Sequence, residues 1–168
     1  VSGFRTYATV PEVYAVRKPR NLSFAEAPVY LGYMTAYYGL VHVARLAPGE
    51  SVLIHNATGG VGLAAVQIAQ WVGAEIYATA GTEEKREFLR RLGVKHVYHS
   101  RSTRFVDEIR RDTGGRGVDV VLNAIAGEAL DKSLGLLASF GRFIEIGKRD
   151  IGENRGLPMG AFDRNLTF

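Results

Sequence analysis

Ser51–Trp71 reads SVLIHNATGGVGLAAVQIAQW. Ser51–His55 is a short, β-branched, apolar run of the kind buried on both faces of a sheet. Val61–Trp71 then carries apolar residues at helical spacing. Between them, Ala57-Thr58-Gly59-Gly60-Val61-Gly62 has the form A-x-G-x-x-G, one residue away from the G-x-G-x-x-G of a dinucleotide-binding turn. Such a turn needs a small first residue, and alanine is the smallest departure from glycine. Gly59 at the second position lets the backbone approach a pyrophosphate, and Gly62 at the third lets the helix lie close on the sheet. The helix N-terminus favours the anionic phosphates. A strand–helix turn without a ligand is the plainer alternative.

Outward from this stretch, strands and helices alternate. Glu75–Thr79 is the next strand, followed by a helix over Thr82–Leu92 with a Thr cap and Gly93 after it. Lys95–His99 is a third strand, Ser102–Asp112 a helix ended by Gly114-Gly115, and Val118–Leu122 a fourth strand. A helix over Gly127–Leu137 and a strand over Arg142–Ile146 complete the series, and Asn165–Phe168 begins a sixth strand. Alternation of this kind implies right-handed crossovers and a parallel, six-stranded doubly wound α/β sheet, the Rossmann arrangement. Before it, Val13–Val16 reads as a strand end, Phe24–Pro28 as a short helix or turn, and Tyr30–Leu46 as a helix. The expected organisation is the edge of a neighbouring domain and linker over 1–28, then a nucleotide-binding domain over 29–168.

Composition narrows the function. With 46% apolar and 23% charged residues the chain reads as an ordinary globular protein. No apolar run reaches the roughly 18 residues of a membrane span, and the first residues lack the pattern of a signal peptide. The absence of cysteine excludes disulfides and thiolate zinc sites and is compatible with a reducing cytoplasm. The net charge is +4, and the most basic stretches, Arg17–Arg20 and Arg110-Arg111, are short, separated and without interleaved aromatics for stacking bases, so no nucleic-acid partner is expected. His42, His55, His96 and His99 show no metal-ligand spacing, and a hydrogen-bonding role suits His55 better. The glycine-rich Gly114–Gly117 precedes a strand and reads as a turn. Trp71 and Phe88 are assigned to the core.

The ribose distinguishes the two nicotinamide cofactors. An NAD enzyme places Asp or Glu about 20 residues beyond the turn, at the end of the second strand. Here that strand ends Ala78-Thr79-Ala80-Gly81, and Lys85 and Arg101 follow as cations suited to a 2′-phosphate. NADPH is favoured. Alternatively, Lys85 pairs with Glu83 or Glu84 on the surface.

The segments TAYYGL (Thr35–Leu40), HNATGGVGLAAVQIA (His55–Ala69), TGGRGVDVVLNAIAG (Thr113–Gly127) and GRFIEIGKRDI (Gly141–Ile151) together resemble the medium-chain dehydrogenase/reductase superfamily. They are most similar to enoyl reductase domains of modular polyketide synthases and animal-type fatty acid synthases. The resemblance covers nearly the whole chain. It implies a two-domain reductase that uses NADPH to reduce a trans-2-enoyl thioester on acyl carrier protein, beside the other domains of a synthase. It further implies that Thr35 approaches the nicotinamide end, that Lys85 and Arg101 hold the 2′-phosphate, and that Asn123 and Ala124 lie by the nicotinamide ribose. Gly147 and Lys148 follow the fifth strand, and this lysine matches the family's proposed proton donor. The resemblance also implies a second candidate acid, an aspartate, downstream of Phe168. Read from the residues alone, Lys148 is either that acid or a solvated lysine paired with Asp150.

The remaining expected cofactor contacts are Thr58, Gly60, Val61, Thr79, Ala80 and Gly81, around the first two strand ends. Two alternatives stay open: a free-standing NADPH quinone oxidoreductase, or a non-catalytic nucleotide-binding and dimerisation module. The uncharged alternation of Leu166 and Phe168 on an outermost strand suggests a homodimer joined there.

Overall fold

Five strands make one parallel sheet in the computed structural model, which describes residues 6–168. They are β1 (Ser51–Ile54), β2 (Glu75–Ala80), β3 (His96–His99), β4 (Val118–Asn123) and β5 (Leu137–Glu145), in the order β3-β2-β1-β4-β5. The helices are α1 (Tyr30–Tyr37), α2 (Gly60–Val72), α3 (Glu83–Arg91), α4 (Phe105–Asp112), α5 (Glu128–Leu134) and α6 (Arg149–Gly152). The order reverses at β1, so β1 and β4 diverge into different connections. That is the doubly wound arrangement the alternation predicts.

Alternate residues of each strand enter two separate cores, as period-2 geometry requires. Val52, Ile54, Ala78 and Leu122 face α2 and α3, together with Leu40 and Leu89. Leu53, Tyr77, Val121 and Phe143 face α4 and α5, through Phe105, Ile109, Leu130 and Leu134. Both faces of β1 are therefore covered, which is why its four residues are all buried.

The chain divides into two compact units between Tyr30 and Leu31. In the first, Glu12–Tyr14 and Ala27–Val29 are single 3-10 turns. The strand end expected at Val13–Val16 is absent, because Pro11 starts a turn in which Tyr14 N–H donates to Pro11 O at 3.0 Å. The turn around Phe24–Pro28 is present, held by Ser23 and Glu26, which hydrogen-bond each other's backbone N–H.

In the second unit several expectations need correction. Asn165–Phe168 makes a single bridge to β5 rather than a sixth strand, with Phe143 N–H donating to Thr167 O at 2.8 Å and Thr167 N–H to Gly141 O at 3.0 Å. The preceding 3-10 turn, Met159–Arg164, brings the chain alongside β5 only at Thr167. β5 begins at Leu137, not Arg142, because Leu137 pairs with Val118 before an irregularity at Phe140, whose φ is 63°. The Tyr30–Leu46 helix loosens into a π-helical turn at Tyr38–Val43, where Gly39 brings the backbone against Ile144. Arg142 donates to Ala44 O beyond that turn and pairs with Glu50.

Trp71 and Phe88 are not core residues: they are 72% and 41% exposed. The buried face of α2 runs through Ala65, Ile68 and Ala69, so Trp71 shares the outward face of Gln67, four residues earlier. In α3 the inward position is Leu89. The expectation set both at helix positions suited to packing; the observed phase of each helix turns them outward.

His55 sits just beyond β1, 2% exposed, and joins three elements. Ser133 Oγ on α5 donates to Ala129 O at 2.7 Å, so it accepts from His55 Nε2–H at 2.9 Å. Nδ1 is then the acceptor, 3.0 Å from the hydroxyl of Thr79, which also accepts from Asn56 N–H. This chain of bonds fixes one tautomer of a neutral imidazole.

Two predictions follow from the packing. A Cβ at Gly62 would stand 2.3 Å from Asn56 O and 2.6 Å from Ala57 Cα, whereas one at Gly60 meets nothing within 4 Å. Gly62→Ala should lower stability by about 1–3 kcal/mol, as overpacking does, and Gly60→Ala should leave it nearly unchanged; equal urea midpoints for the two variants would contradict this contact. For His55, burial pushes the imidazole down to about 3, while in the unfolded chain it titrates near about 6.5. Between those values the unfolded chain binds a proton that the folded chain refuses. Stability is therefore full above that upper value and falls on acidification, by at most about 1.4 kcal/mol per pH unit. Urea titrations of His55→Gln from about pH 6 to pH 4 should show a shallower loss than the unmodified protein; parallel losses would refute the assignment.

Candidate functional site

The carboxyl ends of β1, β2, β4 and β5 open on one edge of the sheet, where ligands of doubly wound folds bind. The glycine turn stands at its centre. Asn56 takes a left-handed φ of 50°, and its carbonyl accepts from Gly59 N–H at 2.9 Å. Ala57 is fully buried in the first core, with its N–H donating to Thr79 O at 3.0 Å. Its methyl group is thus packing material, and the alanine at the first motif position closes the turn as glycine would. Gly59 caps α2 without any side-chain hydrogen bond. The N–H groups of Gly60, Val61 and Gly62 have no acceptor among the described residues, which leaves them for an anion at the positive end of a 13-residue helix. Thr58 and Val61 are partly exposed beside them.

α1 lies directly on this turn. A Cβ at Gly32 would approach Gly60 O to 2.9 Å, so only glycine permits the contact. Thr35 follows one turn later on the same face of α1, exposed, with its hydroxyl donating to Leu31 O at 2.9 Å.

The end of β2 is the second part of the site. The Thr79 side chain is fully buried and committed to His55, so only its backbone faces the turn. Ala80 is also buried, and its carbonyl accepts from Ser100 N–H at 3.1 Å. Gly81 is open, and the Arg101 guanidinium lies against it: a Cβ there would meet Nε at 3.3 Å. Lys85 is exposed on the first turn of α3, where its N–H is capped by Thr82. The surface pairing considered for Lys85 goes elsewhere, since Glu83 pairs with Arg86 and Arg90 and the Glu84 carboxylate bonds Thr82. Lys85 and Arg101 thus stand near a strand end that carries no carboxylate.

The third part joins the ends of β4 and β5. Asn123 is fully buried, and its Nδ2 donates at 2.6 Å to both Ile125 O and Glu145 Oε2. The other oxygen of Glu145 accepts from Gly147 N–H. Burial pushes the Glu145 carboxyl above its usual range, and these hydrogen bonds oppose the shift. Ala124, Glu145, Gly147 and Lys148 line a small pocket here. Lys148 is exposed. Its suggested partner, Asp150, instead accepts from Gly127 N–H at 2.8 Å and lies 3.7 Å from Arg155.

Sequence reasoning missed Gly32 and Glu145, and it named Asp150 only as a partner for Lys148, whereas Asp150 holds Gly127. Gly32 carries no motif, and its contact crosses from α1 to the turn. The two carboxylates were legible as acids flanking Gly147-Lys148, but only the paired register of Asn123 with Glu145 brings the first of them into the site.

Comparison with known proteins locates this architecture. A family model described as zinc-binding dehydrogenase matches residues 60–167. A mycocerosic acid synthase-like polyketide synthase of Mycobacterium tuberculosis is 53% identical over 164 residues, 97% of this chain. The chain spans only 8% of the length of that relative. The X-ray structure of the nucleotide-binding subdomain of the enoylreductase domain of PpsC from Mycobacterium tuberculosis is 53% identical with a TM-score of 0.80. That match covers 83% of this chain and 78% of the other. CurK enoyl reductase is 46% identical with a TM-score of 0.77, over 90% of this chain and 45% of that one.

The zinc in the family description does not fit the donors present. The sequence has no cysteine, and among the described residues no group of three or more His, Asp or Glu could hold a metal. His55 bonds Thr79 and Ser133, His96 lies 3.1 Å from Glu75, and His99 accepts from Arg101 N–H. The chain belongs to the zinc-binding dehydrogenase family and, within it, to the nucleotide-binding subdomains of polyketide synthase enoyl reductases.

Proposed function

We propose that this chain is the cofactor-binding part of an NADPH-dependent enoyl reductase domain, which reduces a trans-2-enoyl thioester carried on acyl carrier protein. The observation that carries the reading is the set of free N–H groups at Gly60–Gly62, on a turn closed by Ala57, in a chain this similar to an enoylreductase nucleotide-binding subdomain. NADPH, when bound, supplies the hydride.

The chain's own residues divide the remaining work. The turn and the N-terminus of α2 bind the pyrophosphate through backbone N–H groups. Lys85 and Arg101 hold the 2′-phosphate, which is supported by the missing acid after β2 and by the guanidinium lying against Gly81. Thr35, Asn123, Ala124 and Gly147 line the nicotinamide end. Lys148 Nζ stabilises the oxygen of the developing enolate and delivers a proton to the α-carbon. Its exposure and the engagement of Asp150 with Gly127 and Arg155 support that role.

The domain works beside the other domains of a synthase, in the cytoplasm. Among the described residues no helix is long and apolar enough to cross a membrane. A second copy pairs with it at the edge near Phe168, which is half exposed and stacks on Phe143. Leu166 is partly buried on the chain's own core, so Phe168 is the apolar residue left for that contact.

The decisive assay uses the complete reductase containing this chain. It should oxidise NADPH only when a trans-2-enoyl thioester is added, with kcat/KM well above that for NADH. Lys85→Ala/Arg101→Ala should remove most of this preference, about 2–4 kcal/mol for two charge-assisted phosphate contacts. Equal use of NADH by the unmodified enzyme would overturn the cofactor assignment. Oxidation driven by small quinones and indifferent to the enoyl thioester would favour a quinone oxidoreductase.

A further inference from the structure

We propose that Glu145 is a positioning residue for the nicotinamide half of the cofactor: it turns the buried Asn123 amide so that Oδ1 is presented to a hydrogen-bond donor of that half. The inference rests on the cofactor reading above and goes beyond it in assigning a role to a residue outside the glycine turn and the cation pair.

Three observations carry it. Both hydrogens of Asn123 Nδ2 are used, on Ile125 O and Glu145 Oε2, each at 2.6 Å. The opposite atom, Oδ1, is buried and has no partner among the described residues. Buried acceptors are nearly always satisfied, so one left free at a ligand-binding edge points to a donor supplied from outside. Finally, Glu145 is itself held from the other side by Gly147 N–H, and a Cβ at Gly147 would come within 2.6 Å of Oε1.

The carboxylate therefore permits one amide orientation. Turning the amide over would set its oxygen against Ile125 O and Glu145 Oε2, three acceptors together. The position selects the half of the ligand. The glycine turn and Arg101 stand at the ends of β1 and β2, whereas Asn123 and Glu145 end β4 and β5. A dinucleotide whose 2′-phosphate end lies over β2 and whose pyrophosphate lies on the turn reaches β4 with its nicotinamide ribose half. The donor is a hydroxyl or amide N–H of that half.

The test measures binding of two probes to this chain: NADPH, and adenosine 2′,5′-bisphosphate, which lacks the nicotinamide half. Glu145→Gln keeps the length, but with its oxygen retained by Gly147 N–H its amide nitrogen faces Asn123 Nδ2, donor against donor. It should bind NADPH about tenfold more weakly, the scale of one hydrogen bond lost at a buried site, with bisphosphate affinity unchanged. Asn123→Ala should show the same selective loss and serves also if the Glu145 variant does not fold. The double variant should be no weaker than Asn123→Ala alone, because Glu145 acts through Asn123.

Equal loss for both probes, unaltered NADPH affinity or additive effects would overturn the inference. So would an unmodified chain that binds NADPH no more tightly than the bisphosphate, a result that leaves the reading of the glycine turn standing. If the unmodified chain binds neither probe, the cofactor reading fails and this inference fails with it.

Discussion

The contact on which the site depends is backbone against backbone. Gly62 on α2 comes so near Asn56 O and Ala57 that no side chain fits between them. This draws the start of α2 onto the end of β1 and aims its free N–H groups along the sheet edge. Ala57 completes the arrangement from below by filling the first core and bonding Thr79. Gly32 repeats the device from above, bringing α1 onto Gly60. Three close approaches, each made possible by a small residue, thus build the surface on which a nucleotide can lie.

Around that surface the polar groups are committed in a way that leaves specific ones free. His55, Thr79 and Ser133 satisfy one another in the interior and stitch β1, β2 and α5 together. Glu83 takes Arg86 and Arg90, and Asp150 takes Gly127 and Arg155. Lys85 and Lys148 remain exposed at opposite ends of the mouth, beside β2 and beyond β5. The charge distribution has a physical logic: internal pairs fix the loops, and these two lysines stay exposed at the edge where the proposed function sets an anionic ligand and a developing negative charge.

Much of this was legible in the sequence. The alternation of short apolar runs with helical spacing implied the parallel sheet, and Asn56–Gly62 implied the turn, because strand period and glycine chemistry are local properties. Helix phase was less legible: Trp71 and Phe88 were assigned to packing positions and face outward, because which face of a helix meets the sheet depends on the tertiary packing. Thr79 was expected among the cofactor contacts; its side chain is buried on His55, a partner 24 residues away, which leaves only its backbone facing the turn. The Glu145 contact to Asn123 spans 22 residues and exists only through the β4–β5 register. The looser turn at Tyr38–Val43 depends on Gly39 meeting Ile144, which no local pattern reveals. What escaped the sequence was long-range side-chain pairing, and the site's second tier is made of it.

The central claim is that the N–H groups of Gly60–Gly62 receive the phosphates of a dinucleotide. Backbone amide NMR of this chain during NADPH titration tests it most directly. The account predicts that the largest shifts fall on Gly59–Gly62, with a second set at Gly81, Arg101 and Gly147. Saturable binding that leaves the Gly59–Gly62 amides unmoved while shifting others would contradict it.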